Sequence, residues 1–443
     1  MAIQLSDHFT YKRLLRFVFP SIVMMVFTSV YGVVDGLFVS NVVGKTAFAA
    51  INLVMPVDMI FGGIGFVFGT GGSALVAKTL GEQKPEKANR YFAMMIWTTI
   101  IVGVLISILG VAIMRPVAVF LGADAAMLPD CILYGRVLMS FNVAFMLQNV
   151  FQSFLITAEK PSLGLAVTVA AGVTNMVLDA LFIGVFRWGV AGAALATGLS
   201  EVVGGIVPLL YFLRSNDSLL RLVRTKLEIR PIGKACVNGS SEMVSSVTAS
   251  VVGILYNFQL IKYAGQNGVA SYGVLLYLQF VFAAIFIGYS MGIAPVVSYH
   301  YGAENDGELK NLLKKSTLLM IGLGGCMVVI AQTLAVPLAK IFVGYDADLL
   351  AMTVHALRIF TLSFLIIGFN IFASSFFTAL NNGGISAAIS FLRTFVFKFA
   401  AVLILPLLWK VDGIWWANIL AEIFAFLLSV MFLVTQRKRY HYF

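Results

Sequence analysis

Apolar positions run along this chain in long uninterrupted stretches, and charged positions collect between them. Stretches of 20 or more mostly apolar residues recur at roughly 14–40, 50–77, 91–114, 131–157, 162–186 and 189–213. They return at 237–263, 270–298, 312–336, 350–380, 385–408 and 412–436. At about 1.5 Å of rise per residue, each can cross a hydrocarbon layer about 30 Å thick. The pattern predicts twelve membrane-spanning helices, six in each half.

The halves repeat each other. Sliding the sequence on itself by 221 positions brings Gly32 onto Gly253, Gly44 onto Gly265, Phe61 onto Phe282, Gly71 onto Gly292 and Gly81 onto Gly302. Further along, Pro116 meets Pro337, Asn149 meets Asn370, Trp188 meets Trp409 and Glu201 meets Glu422. So long a period excludes a solenoid and points to two copies of one large unit. Six is even, so both copies enter the bilayer from the same side. The expected fold is an all-α polytopic membrane protein whose two six-helix bundles are related by a pseudo-two-fold axis along the membrane normal. The bundles are expected at 1–214 and 235–443, with a basic, polar cytoplasmic linker at 215–234 between them.

Composition agrees, with 60% hydrophobic and 11% charged residues, where soluble domains carry about 25% charged. Basic residues add an orientation. With the N-terminus inside, the inner segments hold 20 Lys and Arg and the outer loops six: Lys45, Arg115, Arg187, Lys262, Lys340 and Lys410. That bias predicts cytoplasmic termini in a plasma membrane, the inner membrane of a bacterium. The net charge of +10 then reflects topology and contact with membrane lipids, not nucleic-acid binding. The first apolar run is too long, and lacks a following small-residue site, for a cleavable signal peptide.

Catalytic chemistry finds no footing. Cys131, Cys236 and Cys326 are scattered, and His8, His300, His355 and His441 form no HExxH. Neither a phosphate-cradling GxxxxGK[ST] nor a GxSxG elbow is present. The expectation is a protein that is not an enzyme and carries no cofactor or resident metal. Uphill movement of a solute would have to draw on an ion gradient.

Charge inside hydrocarbon costs several kcal/mol unless it is paired or hydrated, so the acids within spans stand out. Asp35 lies near the outer end of helix 1 and Asp179 near that of helix 5. Asn175 is one turn from Asp179 on the same face, and Thr197 sits at similar depth in helix 6. At the 221 offset Asp35, Asp179, Asn175 and Thr197 become Tyr256, Ala400, Val396 and Asn418, so the second half keeps the scaffold and loses the acids. Two carboxylates with an amide and a hydroxyl suit a small hard cation, or a proton held between two acids. Lys398 and Glu422, at similar depth in helices 11 and 12, are expected to neutralise each other as a structural ion pair. Glu201 shares its position with Glu422, which makes a structural role as plausible as coupling. Asp58, Glu242, Arg136, Arg358 and Arg393 read mostly as snorkelling or packing.

Several segments together resemble the multidrug and toxic compound extrusion (MATE) family. They are Pro20 and Asp35 in helix 1, Gly69-Thr-Gly-Gly-Ser-Ala-Leu before Leu80-Gly-Glu82, Asn175-Met-Val-Leu-Asp179, and Trp188-Gly-Val-Ala-Gly-Ala-Ala-Leu-Ala-Thr197. The resemblance covers nearly the whole chain. It implies a V-shaped pair of lobes exporting lipophilic cationic compounds in exchange for Na+ or H+, with Asp35, Asn175, Asp179 and Thr197 as the cation site of the first lobe. Some branches of the family add an acid in helix 10. Residues 364–380 hold none, which favours the branch with its cation site in the N-terminal lobe.

Substrate walls can be sought among soft and aromatic residues, which adapt to and attract organic cations. Met24, Met55, Phe61, Met139, Phe141, Met146, Phe151, Phe154, Phe280 and Met291 lie inside spans and are the candidate lining. A monomer is expected. The alternative is a lipid-linked oligosaccharide flippase of the same superfamily, which would need basic cavity residues. Arg136, Arg358 and Arg393 are the candidates for it.

Overall fold

The computed structural model describes residues 3–43 and 45–442. Gly44, expected opposite Gly265 in the repeat, and the Lys45 side chain lie outside what is described. Helices follow the apolar runs: α1 (Tyr11–Val42), α2 (45–81), α3 (Pro85–Phe120), α4 (Leu128–Thr157), α5 (Pro161–Val185) and α6 (Gly189–Leu213). Helix Ile229–Gly302 breaks at Gly265, where φ is 62°, into α7 (229–264) and α8 (266–302). Then come α9 (306–343), α10 (Ala347–Ala379), α11 (383–409) and α12 (411–440), the last two separated where Lys410 takes φ 52°. These twelve spans are the twelve apolar runs. The linker is shorter than expected, because helix α7 takes over at Ile229 and only residues 214–228 stay non-helical.

The repeat extends to the backbone. The chain leaves α2 through Gln83 at φ 60° and α8 through Glu304 at φ 54°, positions 221 apart. Contacts between the halves are reciprocal in the same way. A methyl group on Gly81 of α2 would collide with the Tyr299 carbonyl of α8, and one on Gly302 of α8 with the Lys78 carbonyl of α2. Likewise Gly71 of α2 abuts Ala235 and Gly239 of α7, while Gly292 of α8 abuts Val18 of α1. Residue i of one half touching j of the other, with j's twin touching i's twin, is the signature of a two-fold relation. Each half is therefore a six-helix lobe, and α1 and α7 hold equivalent places.

Those contacts all fall in one half of the molecule, where α1 and α7 begin and α2 and α8 end. A single buried cluster there mixes Phe17, Val18 and Ile156 with Phe286, Tyr289, Ile293 and Val297. Both termini join it, through Leu5, Phe9, Tyr440 and Tyr442, so they share one face of the protein. Towards the other face, Gly32 and Gly36 of α1 and Gly253 of α7 have none of the described residues within 4 Å of where a Cβ would stand. The close glycine contacts between the lobes thus gather at the end that holds the termini.

Residues 3–10 form a strap across the joined end. Leu5 N–H donates to Glu159 Oε1 of the first lobe at 2.6 Å. On the second lobe, Phe9 N–H donates to Glu308 Oε1 at 2.9 Å, and the Phe9 carbonyl accepts from Asn311 Nδ2 at 3.0 Å and Lys315 Nζ at 2.6 Å. His8 Nδ1 lies 2.6 Å from Glu308 Oε2. Buried Leu5 and Phe9 anchor the strap between these groups.

Candidate cation site

Helix α5 meets α1 along one face. A Cβ on Gly172 would press into Phe27 and reach within 3.1 Å of Tyr31. Asn175 and Asp179 follow Gly172 at helical spacing, as Tyr31 and Asp35 follow Phe27 on α1. The two helices thus bring Asp179 and Asp35 together as neighbours. Directly after Asp179 the helix widens into a π-turn at Ala180–Val185, a local irregularity frequent at functional positions.

The site is rich in acceptors and poor in donors. Asp179 is 1% exposed and Asn175 2%. Both Asp179 carboxyl oxygens, Asp35 Oδ1 and Asn175 Oδ1 are buried with no hydrogen-bond partner among the described residues. Buried acceptors without donors cost about 1–3 kcal/mol each, more when charged. Such a group of oxygens is completed by a proton or a cation. Thr197 sits half-buried at comparable depth on α6, which packs against α5. Its hydroxyl makes no hydrogen bond among the described residues, and its carbonyl accepts from Ser200 Oγ at 2.7 Å. The structure therefore joins three of the four expected groups directly and leaves Thr197 alongside.

The twin positions in the second lobe are built differently. Tyr256, the counterpart of Asp35, is 2% exposed and stacked on Tyr272 with ring centroids 4.6 Å apart. Asn418, the counterpart of Thr197, donates to Ser363 Oγ at 2.9 Å. Deeper in this lobe Glu422, fully buried, lies 3.6 Å from Lys398 Nζ. Arg393 is the stronger partner, since its Nε donates to both Glu422 oxygens at 3.0 and 2.9 Å, and Asn370 Nδ2 donates to Oε2 at 2.8 Å. The sequence reading placed Arg393 among packing residues. A π-turn at Leu392–Phe397 shifts the helical phase there, which spacing along a regular helix could not reveal.

Several expected wall residues lie elsewhere. Met24, Met139, Met146, Phe151 and Phe154 are at most 1% exposed and fill the first lobe's core. Met139 packs on Gly110, Met146 on Gly103 and Phe154 on Phe92. Close packing around glycines took them out of reach of a cleft. Phe61, Phe141 and Met291 are half-buried, and Met55 and Phe280 are exposed. Tyr31 was missed in the sequence, although it stands one turn before Asp35. It neighbours Asp35, Glu201 and Gln148.

Two mirrored lobes, twelve spans and an acid site in one lobe alone define a multi-pass membrane protein of duplicated six-helix units. A profile of the MatE family matches residues 20–181 and again 243–403, once per lobe, and the chain belongs to that family. It is similar to the multidrug export protein MepA of Staphylococcus saprophyticus, 24% identical over 438 residues, spanning 97% of this chain and 94% of the relative. MepA of Staphylococcus aureus (strain MSSA476) is 23% identical over 433 residues, spanning the same shares. Among solved structures, the fold matches an outward-facing multidrug resistance MATE family transporter with TM-score 0.92, at 22% identity over 99% of both chains. It also matches a variant of the Vibrio cholerae MATE transporter VcmN with TM-score 0.89, at 20% identity over 97% of this chain and 98% of that one.

Proposed function

We propose that this protein is a secondary transporter, not an enzyme, that exports lipophilic, mostly cationic compounds by alternating access in exchange for H+ or Na+. Asp35, Asn175 and Asp179, with Thr197 beside them, are its coupling site. The protein works as a monomer in a bacterial inner membrane with both termini in the cytoplasm. The observation that carries the reading is the set of four buried, partnerless oxygens shared by α1 and α5. An exchanged ion can complete that set in one stage of the cycle and leave it in another. Relatives named as multidrug export proteins, over nearly the whole chain, support the substrate class.

Of the flippase alternative's three basic candidates, two have partners elsewhere: Arg393 pairs with Glu422, and Arg136 Nε donates to the Val111 carbonyl at 3.2 Å.

The test uses inverted membrane vesicles loaded by an imposed pH or Na+ gradient, with transport of a fluorescent cationic dye normalised to folded protein. Asp35→Asn and Asp179→Asn should each abolish gradient-driven transport while leaving melting behaviour intact. Near wild-type transport by both variants would move the coupling site elsewhere.

A further inference from the structure

The turns that lead into α6 and α12 carry the same tryptophan in opposite settings. Trp188 and Trp409 are repeat-related, and both stand at the end of the protein away from the termini. In the first lobe Trp188 stacks on Phe182 with ring centroids 4.9 Å apart, and Phe186 lies 5.2 Å away. At the 221 offset those two phenylalanines become Leu403 and Leu407. Trp409 is 56% exposed and meets no other ring among the described residues.

Two further exchanges change what stands beside it. Where the first lobe has Ala191 and Leu195, the second has Asp412 and Trp416. These two are one turn apart on one face of α12, and the turn at Lys410 folds Trp409 towards them. Trp409, Asp412 and Trp416 together line a cavity of about 440 Å³. His355 Nε2 of α10 lies 2.8 Å from Asp412 Oδ1, while Oδ2 makes no hydrogen bond among the described residues. A closed aromatic stack in one lobe is thus, in the other, an open box with a carboxylate in its wall.

Indole faces attract ammonium groups more strongly than other rings do, and a carboxylate beside them adds an ion pair. Tryptophans at the ends of spans sit at the level of lipid headgroups. On the membrane side of the cavity, α11 leaves Leu403, Ile404, Leu407 and Leu408 between 38% and 71% exposed. That apolar track leads from hydrocarbon to the carboxylate. A small dissolved cation has no use for it, whereas a lipid fills track and box at once. We propose that the α11–α12 turn seats an aminophospholipid, with its ammonium between Trp409, Asp412 and Trp416 and its acyl chains along α11. On the orientation proposed above, this is a lipid of the outer leaflet.

The experiment is native mass spectrometry of the purified full chain titrated with phosphatidylethanolamine or phosphatidylglycerol, with melting temperatures recorded for every variant. Phosphatidylethanolamine should be retained in preference to phosphatidylglycerol. Asp412→Asn, and separately Trp416→Leu, which installs the first lobe's residue, should each weaken its retention by about fivefold, the size of one exposed ion-pair or cation–π contact. Trp188→Phe should leave retention unchanged. Equal retention of the two lipids, or retention indifferent to both second-lobe variants, overturns the proposal. Displacement of the lipid by tetraethylammonium at equal concentration also overturns it, by assigning the box to a free cation. Should Trp416→Leu fail to fold, Asp412→Asn decides, since it neutralises a half-exposed side chain without changing its shape. No gradient or exported compound enters the readout, so failure of dye transport would leave this result standing.

Discussion

At the residue scale, Glu422 should be costly to neutralise, because two buried cations depend on it. Glu422→Gln strands Arg393 and Lys398 inside the second lobe, and breaking a buried pair on one side costs about 3–5 kcal/mol. A clear fall in melting temperature is expected, visible by tryptophan or dye-based melting, with transport lost only in proportion to folded protein. A Glu422→Gln protein as stable as wild type would show that Arg393 and Lys398 do not need it. The sequence exposed Asp35, Asn175 and Asp179, because a charge amid apolar residues is conspicuous in one dimension and helical spacing puts Asn175 below Asp179. It could not expose the pairing of Arg393 with Glu422. Those residues are on different helices, and nothing along the chain says which faces meet. The burial of Met24, Met139, Met146, Phe151 and Phe154 was hidden for the same reason, since a large apolar side chain looks alike in sequence wherever it packs.

At the element scale, all twelve helices were legible, because only a helix satisfies its own backbone across hydrocarbon and the apolar length needed is long. Ends and joints were less so. The turn from α11 into α12 passes through Lys410 at φ 52° and ψ −124°, while its twin at the α5–α6 turn is Gly189 at φ 56°. A side chain held in that region costs on the order of 1–3 kcal/mol. Lys410→Gly should therefore raise stability by about 1 kcal/mol, read as a higher melting temperature without change in transport. An unchanged or lower melting temperature would mean that the turn is not strained. Residues 229–234 are helical as the head of α7, which their polar and basic composition did not reveal.

For the whole molecule, the reciprocal glycine contacts carry the prediction. Gly81→Ala and Gly302→Ala each insert a methyl group against a backbone carbonyl of the opposite lobe, which the closed end can accommodate only by parting. Both should raise the reactivity of cysteines introduced near Lys78 and Tyr299 towards reagents applied from the terminal side, and to similar extents. A response from one variant alone would contradict the two-fold relation. The strap of residues 3–10 has its own consequence. Its grip on the second lobe uses Glu308, Asn311 and Lys315, whereas the first lobe holds it by one hydrogen bond from Leu5 to Glu159 and the burial of Leu5. When the lobes rock apart at this end, the Glu159 side lets go first. A hydrogen bond to a charged group contributes about 2 kcal/mol, a bias of roughly 30-fold in population. The strap thus adds its own bias to the glycine contacts and the shared buried cluster that hold the two lobes together at this end.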